Sequence, residues 1–424
     1  MARPPSPSSC PLAGKKIVVA GAGIAGLAFA ISLQHFWNED LGSYPEITLY
    51  EREEKEPGRG REGYSLSIRG DSRSGGVQAL QKMGVLEKLL DVSITGRGGE
   101  RGSFGFWDPN WKRIVEIRLE KPRDLPASGM RIARWQLRRV LTESVAAHTE
   151  IVWGVACLEV LPSSDTKIRV RLSDGKEEDC DFLVAADGAS SKLRASVRPA
   201  DILHFAGAVS IGASSRFPGA PPVPVNEDWG MVFNRTGTAL FVSPVDDRSA
   251  LWNLSYIADS PRDPQRQPLS PEQTAQILQE AKERGKSFKE PFQTLVDNTD
   301  VSTLNIFNAN DKQPFPHGKQ NGVPNGIVFI GDSNHAVSPF AGNGANMALM
   351  DAFDLAECLC GQPSIEQAVN VYDKRSMPRC SATVKMSHFT IGLVHSTGLR
   401  GLFYRAMLGL AGVILSVLSW RKRR

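Results

Sequence analysis

The sequence has no Cys-x-x-Cys pair, no long uninterrupted apolar run and no marked excess of charge. Its six cysteines, at positions 10, 157, 180, 358, 360 and 380 of 424 residues, are too sparse for a disulfide framework. They are expected to be the reduced thiols of a cytoplasmic protein. Lys and Arg number 50 against 46 Asp and Glu, a net charge of +4. That balance gives no polyanion signal, so nucleic acid is not an expected partner. No H-E-x-x-H motif, Walker lysine loop or paired Cys/His spacing occurs, and no metal site is expected. What remains is a globular composition, 41% hydrophobic and 23% charged. The length suits two or three ordinary domains.

Residues 1–14 are rich in Pro and Ser and read as a disordered lead rather than a signal peptide. From Lys15 a buried-type strand, a helix from Gly23 to about Phe36 and a second strand, Ile47 to Tyr50, give the β–α–β order that opens a parallel sheet. A charged, glycine-rich loop over 53–73 contains one short strand, Tyr64 to Ile68. Apolar residues at 77, 80, 83, 86 and 90 then predict one helix from Gly75 to Leu90. The middle is strand-rich, over 203–216, 229–234, 238–243 and 249–257. Helices follow at 270–285, with Ser270 before Pro271 as a start signal, and at 288–297. A buried strand, Gly326 to Ile330, then leads into a helix over about 342–360.

Gly21-Ala-Gly23-Ile-Ala-Gly26 matches G-x-G-x-x-G after a strand and at the start of a helix, the context this motif needs. Gly21 permits the tight turn, Gly23 lets a pyrophosphate approach the backbone, and Gly26 lets helix and strand pack closely. The helix N-terminus supplies N–H groups to the phosphates. Glu51, at the end of the second strand, is the acid expected to bind a ribose hydroxyl.

Two later segments repeat the theme of a strand ending in an acid. Phe182-Leu-Val-Ala-Ala-Asp187-Gly188 leads to Ser191 and Arg194. Ile327-Val-Phe-Ile-Gly331-Asp332 leads through Ser333, Asn334 and His335 to Pro339, Gly342, Gly344 and Asn346. An Asp at a strand's carboxyl end can accept from a ligand's sugar hydroxyls. A glycine-rich turn before a helix offers bare N–H groups to an electron-rich ring.

With these motifs in order, the chain from about Lys15 to Arg379 resembles the class A flavin monooxygenases of the p-hydroxybenzoate hydroxylase fold. Within them it is similar to the tetracycline-inactivating branch and to biosynthetic monooxygenases of secondary metabolism. The resemblance implies that Gly21, Gly23, Gly26 and Glu51 bind the ADP half of FAD. It implies that Arg134 of Arg134-Trp-Gln-Leu137 contacts the flavin cofactor. Asp187, Gly188 and Arg194 would serve FAD and NAD(P)H, Gly331 and Asp332 the ribityl–pyrophosphate region, and Pro339, Gly342, Gly344 and Asn346 the isoalloxazine. In that chemistry NAD(P)H reduces FAD, oxygen adds at flavin C4a, and the hydroperoxide hydroxylates or epoxidises an organic small molecule. No catalytic acid or base is implied. The chain departs from the family's usual Gly-Asp-Ala-Ala-His at Ser333 and Asn334, and 59–73 is unusually arginine-rich. The tryptophans lack the halogenase W-x-W-x-I-P signature, although Trp107 and Trp111 could wall an aromatic pocket. His335, His388 and His395 read as structural. The alternatives are a dehydrogenase or oxidase of the same superfamily without oxygen insertion, and a non-catalytic binding protein of the same fold.

The implied architecture is α/β: a Rossmann-like FAD-binding domain of 14–195 and 316–398, a β-rich substrate domain of 196–315 inserted in it, and an apolar helix with a basic tail over 399–424. Residues 406–420 carry no charge and precede Arg421-Lys-Arg-Arg424. A span needs about 20 apolar residues. The tail therefore reads either as a packed helix or as one lying on a membrane with its basic residues at the headgroups.

Overall fold

The computed structural model describes residues 10–55, 63–95, 102–118, 121–162, 167–265 and 267–422, the side chains of 415–422 excepted. Arg59, Arg61 and the side chains of the basic tail lie outside the described residues. Five parallel strands lie side by side in the order Ile327–Phe329, Phe182–Ala185, Lys16–Ala20, Glu46–Glu51 and Glu150–Trp153. Their near-continuous apolar sequences follow from burial on both faces. Ile17, Val19, Ile47, Leu49, Phe182, Val184 and Val328 share one core with the helices Ile24–Phe36 and Gly344–Gly361. Val18, Ala20, Leu183, Ala185, Ile327 and Phe329 pack instead against Ile168, Val170 and Leu172 of a three-stranded antiparallel sheet. The chain switches direction across the sheet at Lys16–Ala20, so the crevice beyond its carboxyl end is the place for a ligand. This is the α/β, Rossmann-like fold that the sequence implied.

A second sheet of seven strands runs in the order Asn305–Asp311, His204–Arg216, Ser249–Ile257, Thr238–Asp246, Trp229–Phe233, Phe104–Trp107 and Arg113–Ile117. Alternation sets its faces. Trp107, Val232, Leu240, Val242, Trp252 and Leu254 point into a core with Ile277, Ala281 and Phe292 from the helices Pro271–Arg284 and Phe292–Asp297. Their neighbours Phe106, Trp229, Met231, Phe241, Leu251 and Asn253 point the other way, toward a cavity. Between the sheets, Ser65–Arg69 and Gly129–Ala133 pair as a small antiparallel ribbon.

Several expectations need adjusting. The hairpin Phe104–Ile117 falls inside the expected first part of the FAD domain, yet Phe104–Trp107 pairs in parallel with Trp229–Phe233 and so belongs to the large sheet. The single helix over 75–90 is two, Gly76–Lys82 and Leu86–Val92. Gly84 between them takes φ +74°, and the Val85 N–H returns to the Leu80 carbonyl, a left-handed stop. The lead is ordered from Cys10, because Cys10 and Leu12 are buried in the core and the Cys10 thiol donates to the Leu359 carbonyl. The helix Gly398–Lys422 packs by one side on the edge of the large sheet. Leu408 is buried with Val115, Met231 and Phe233, and Arg405 pairs with Asp108 at 3.1 Å.

Gly26 shows how tightly the first turn is built. A Cβ there would stand 2.0 Å from the Gly21 carbonyl oxygen. Gly26→Val is therefore expected to cost at least about 1–3 kcal/mol, the usual range for overpacking. Denaturant unfolding checks this, and wild-type stability in the variant would contradict it.

Candidate active site

A cavity of about 1610 Å³ lies between the carboxyl ends of the parallel strands and the inner face of the large sheet. It exceeds the roughly 300–1,000 Å³ of an ordinary small-molecule pocket. Of the residues singled out in the sequence, Gly21, Gly23, Glu51, Arg134, Asp187, Gly188, Asp332, Pro339, Gly342 and Gly344 line it. Gly26, Arg194, Gly331 and Asn346 stand behind its wall.

The dinucleotide turn is fixed from both sides. Gly21 takes φ +104°, and a Cβ there would meet the Ala186 carbonyl oxygen at 2.5 Å, so only glycine fits. Glu51 accepts from the Ala22 N–H at 2.8 Å and the Glu53 N–H at 3.0 Å, organising the turn from the end of its strand. Nothing lies within 4 Å of where Cβ atoms of Gly23, Gly188 and Gly342 would stand. At these three points the backbone is bare toward the cavity.

The two acids differ in their surroundings. Asp187 caps the helix Lys192–Val197, one oxygen accepting from the Lys192 and Leu193 N–H groups at 2.9 and 3.3 Å. Its other oxygen, Oδ1, is buried and has no hydrogen-bond partner among the described residues. Burial pushes this carboxyl up from its ordinary value. Asp332 is enclosed by protein yet open to the cavity. Burial raises its carboxyl as well, against the lowering influence of His335 and Arg134. An orphaned buried oxygen, an unshielded carboxylate and three bare glycines fit a ligand with sugar hydroxyls and a pyrophosphate.

The residues behind the wall hold those in front. Arg194 donates to the carbonyls of Ala189, Ser333 and Asp201 at 2.6, 2.8 and 3.2 Å, tying the Asp-Gly turn to the Gly-Asp turn. Its side chain is not among those lining the cavity, where cofactor contact was expected. Asn346 accepts from the Arg69 N–H and donates to the Ser67 carbonyl, pinning the ribbon strand to the Gly344–Gly361 helix. Ser333 donates to the Ala185 carbonyl at 2.6 Å, and Asn334 exchanges bonds with the Phe315 backbone. The unusual Ser-Asn pair thus locks the turn to its neighbours.

His335 does not line the cavity. It pairs with the fully buried Asp351, whose carboxylate also accepts from the Gly331 N–H and from Ser376 and Arg379 at 3.0, 2.7 and 3.0 Å. Burial pushes the imidazole down, but Asp351 and Cys380 outweigh it and hold it well above its usual range. Burial likewise opposes the ionised Asp351, yet His335 and Arg379 keep it well below the carboxylate range. His335, Asp351 and Cys380 offer ligand atoms within 4.8 Å of one another. With Arg379 bound to the same carboxylate, the cluster is an ion-pair network that sets the Gly331 turn. His388 pairs with Asp311 at 2.8 Å. The His395 Nδ1–H donates to the Ile391 carbonyl, leaving Nε2 for the Ser255 hydroxyl.

Sequence reading missed the aromatic and polar lining that the large sheet contributes. Trp107 and Trp111 do not line the cavity; Trp229, Phe241, Asn253 and Phe307 do. It also missed Arg131, a charged residue set in the apolar strand Gly129–Ala133, which was visible as a break in that strand's pattern.

Comparison with known proteins places this geometry. The family model described as "FAD binding domain" matches residues 73–386, beginning beyond the dinucleotide turn. Monooxygenase cfoF of Aspergillus candidus is 40% identical over 92% of this chain and 93% of its own. Aurachin C monooxygenase/isomerase of Stigmatella aurantiaca is 25% identical over 88% of each chain. Among solved structures, Klebsiella pneumoniae HpxO complexed with FAD and uric acid superposes with a TM-score of 0.72 at 19% identity, covering 93% of this chain and 92% of its own. The tetracycline destructase Tet(51) does so with a TM-score of 0.64 at 18% identity, covering 95% and 97%.

Proposed function

Because this chain belongs to the FAD-binding family and is a class A FAD-dependent monooxygenase, we propose that it oxygenates a sizeable, mostly apolar organic molecule of secondary metabolism with NAD(P)H and oxygen as co-substrates. The observation that carries this reading is the large cavity, lined at one end by the glycine turns and acids and at the other by Met231, Phe241, Leu251 and Phe307. It has room for a dinucleotide and a second molecule together.

We assign Gly21, Gly23 and Glu51 to the ADP half, and Asp187, Gly188 and Asp332 to the hydroxyls and pyrophosphate. Arg134, Pro339, Gly342 and Gly344 are assigned to the flavin end. When bound, FAD supplies hydride uptake from NAD(P)H and the activation of oxygen. The chain's own part is to orient the substrate carbon, offer fixed dipoles and exclude water. Among the described residues no side chain at the flavin end is placed as acid or base, which favours a substrate with an aromatic, olefinic or enolic carbon that is already electron-rich. Screening compounds for those that accelerate NAD(P)H oxidation by the purified protein tests the reading. Stimulation only by small hydrophilic compounds would contradict the apolar half of it.

The tail adds a second element. Among the described residues no helix is long and apolar enough to cross a membrane. The helix Gly398–Lys422 nevertheless packs by one face only. Leu399, Phe403 and Leu410 on the other are 85%, 66% and 63% exposed, with Leu402, Val413 and Ile414 beside them. Phe389 and Met386 on the preceding helix are also exposed, and Met386 lines the cavity. An apolar face of this kind, next to Arg421-Lys-Arg-Arg424, suits an anionic lipid surface and gives an apolar substrate a route to the cavity. The variant Leu399→Glu/Phe403→Glu/Leu410→Glu leaves the packed face intact. It is expected to keep FAD but to lose co-sedimentation with phosphatidylserine vesicles. Wild-type protein that ignores such vesicles would remove the membrane role.

A further inference from the structure

All six cysteines are free and buried, and two of them, Cys10 and Cys360, meet. Cys10 begins the ordered chain, and Cys360 lies in the last turn of the helix Gly344–Gly361. Both belong to the core of the FAD half. The backbone holds Cys10 in place: its N–H donates to the Leu41 carbonyl at 3.0 Å, and its carbonyl accepts from the Ala13 N–H at 2.9 Å. The Cys10 thiol donates to the Leu359 carbonyl at 3.2 Å, so the bond between the two sulfurs is donated by Cys360. That bond, against burial, holds the Cys10 thiol below its ordinary range. The same bond, together with burial, pushes Cys360 up. Since the thiolate is the nucleophile, Cys10 is the attacking sulfur and Cys360 the partner beside it. Exposed Gly361 and Pro363 put solvent one residue from the pair. Burial pushes the thiols of Cys157, Cys180 and Cys358 up, and among the described residues no second thiol is bonded to any of them.

We propose that Cys10 and Cys360 are a redox modification site, closing into a reversible disulfide when a hydroperoxide reaches them. The Cys10 sulfur attacks one peroxide oxygen; an S–O bond forms, the O–O bond breaks, and the departing oxygen leaves as water with the thiol proton. The Cys360 sulfur then attacks the Cys10 sulfenic acid; the S–S bond forms, the S–O bond breaks, and the hydroxyl leaves as a second water with the Cys360 proton. Two thiols give up two electrons, and the peroxide takes both. A thiol donor reverses the step by exchange. A disulfide of this transient kind suits a reducing compartment, where a permanent one does not persist. The bond joins two pieces of the FAD half that are far apart in the chain. Cys10 precedes the strand Lys16–Ala20 and its Gly21 turn, and Cys360 ends the helix that starts at the cavity-lining Gly344. Tying them together limits how far the two walls of the FAD site can separate, and a link across so long a stretch of chain is the strongly constraining kind. The inference is independent of which substrate the protein oxygenates.

The test exposes the full-length, FAD-loaded protein to hydrogen peroxide, blocks the remaining thiols under denaturing conditions and reads the digest by tandem mass spectrometry. Two of the six thiols are expected to disappear together, in a peptide pair that joins Cys10 to Cys360 and that dithiothreitol separates. The oxidised protein should release its flavin at a higher temperature than the dithiothreitol-treated protein. Cys360→Ser should release it at the reduced protein's temperature under both treatments. Cys358→Ser, on the same helix, should still form the link. Should Cys360→Ser fail to fold, the wild-type digest and the reversal by dithiothreitol decide. Absence of the Cys10–Cys360 pair would overturn the proposal, as would a link that runs to Cys358 or Cys10 oxidised to the sulfinic acid without a link. So would a linked protein that loses its flavin at the same temperature as the reduced one.

Discussion

Asp332→Ala is expected to release most of the FAD from the purified protein while leaving the fold intact. Asp332 opens the Gly331 turn at the end of a buried strand, and its carboxyl faces the cavity instead of another side chain. Among the described residues none hydrogen-bonds or ion-pairs with that carboxyl, His335, Arg134 and Arg194 acting on it only through their fields, so the alanine removes acceptors for the ligand without stranding a bonded partner. A hydrogen bond to a charged group is worth about 1.5–3 kcal/mol, or roughly a 10- to 150-fold weaker hold on the cofactor. The ratio of flavin to protein absorbance, with and without added FAD, measures it. Full occupancy in the variant would mean that Asp332 does not meet the ribityl–pyrophosphate region.

Asp351→Asn is expected to have the largest effect on stability. The aspartate is fully buried and serves His335, Arg379, Ser376 and the Gly331 N–H at once. Its loss leaves the buried His335 imidazolium without a counter-charge and Arg379 with Asp354 alone, a change that typically costs about 3–5 kcal/mol. The dependence on pH has a defined shape. Asp351 is held below its ordinary 3.8, so its contribution is complete above that value and is lost as the pH falls further. His335 is held above its ordinary 6.5, so its contribution is complete below 6.5 and fades as the pH rises toward the raised value. The stability gap between wild type and His335→Gln should therefore be flat between these two values and narrow above 6.5. Denaturant unfolding at a series of pH values measures it. A gap that widens with rising pH would contradict the ion pair.

What was legible in the sequence follows from how local each constraint is. Gly21 could be read because the turn it makes excludes a side chain at a few bonds' distance. The strands of the parallel sheet could be read because burial on both faces leaves an apolar run. Asp187 and Asp332 could be placed at strand ends, and both line the cavity. The direction of a side chain was harder to read. Arg194 and Asn346 belong to the right motifs, but their donors and acceptors go to Ser333, Ala189, Ser67 and Arg69, and only long-range packing decides that. The hairpin Phe104–Ile117 was hidden for the same reason, since its parallel partner Trp229–Phe233 lies far along the chain. Arg131 was visible as an oddity in an apolar strand. The partners it takes, Ser65, Ser67 and Ser243, were not, because they depend on every element around it.

The most direct test of the account is turnover under mass-labelled oxygen of a compound that stimulates NAD(P)H oxidation. The account predicts that the product gains a single labelled oxygen atom and that the remaining label appears in water. Labelled hydrogen peroxide, with a product that has lost hydrogen but gained no label, would contradict it and make the protein a flavin oxidase of the same fold.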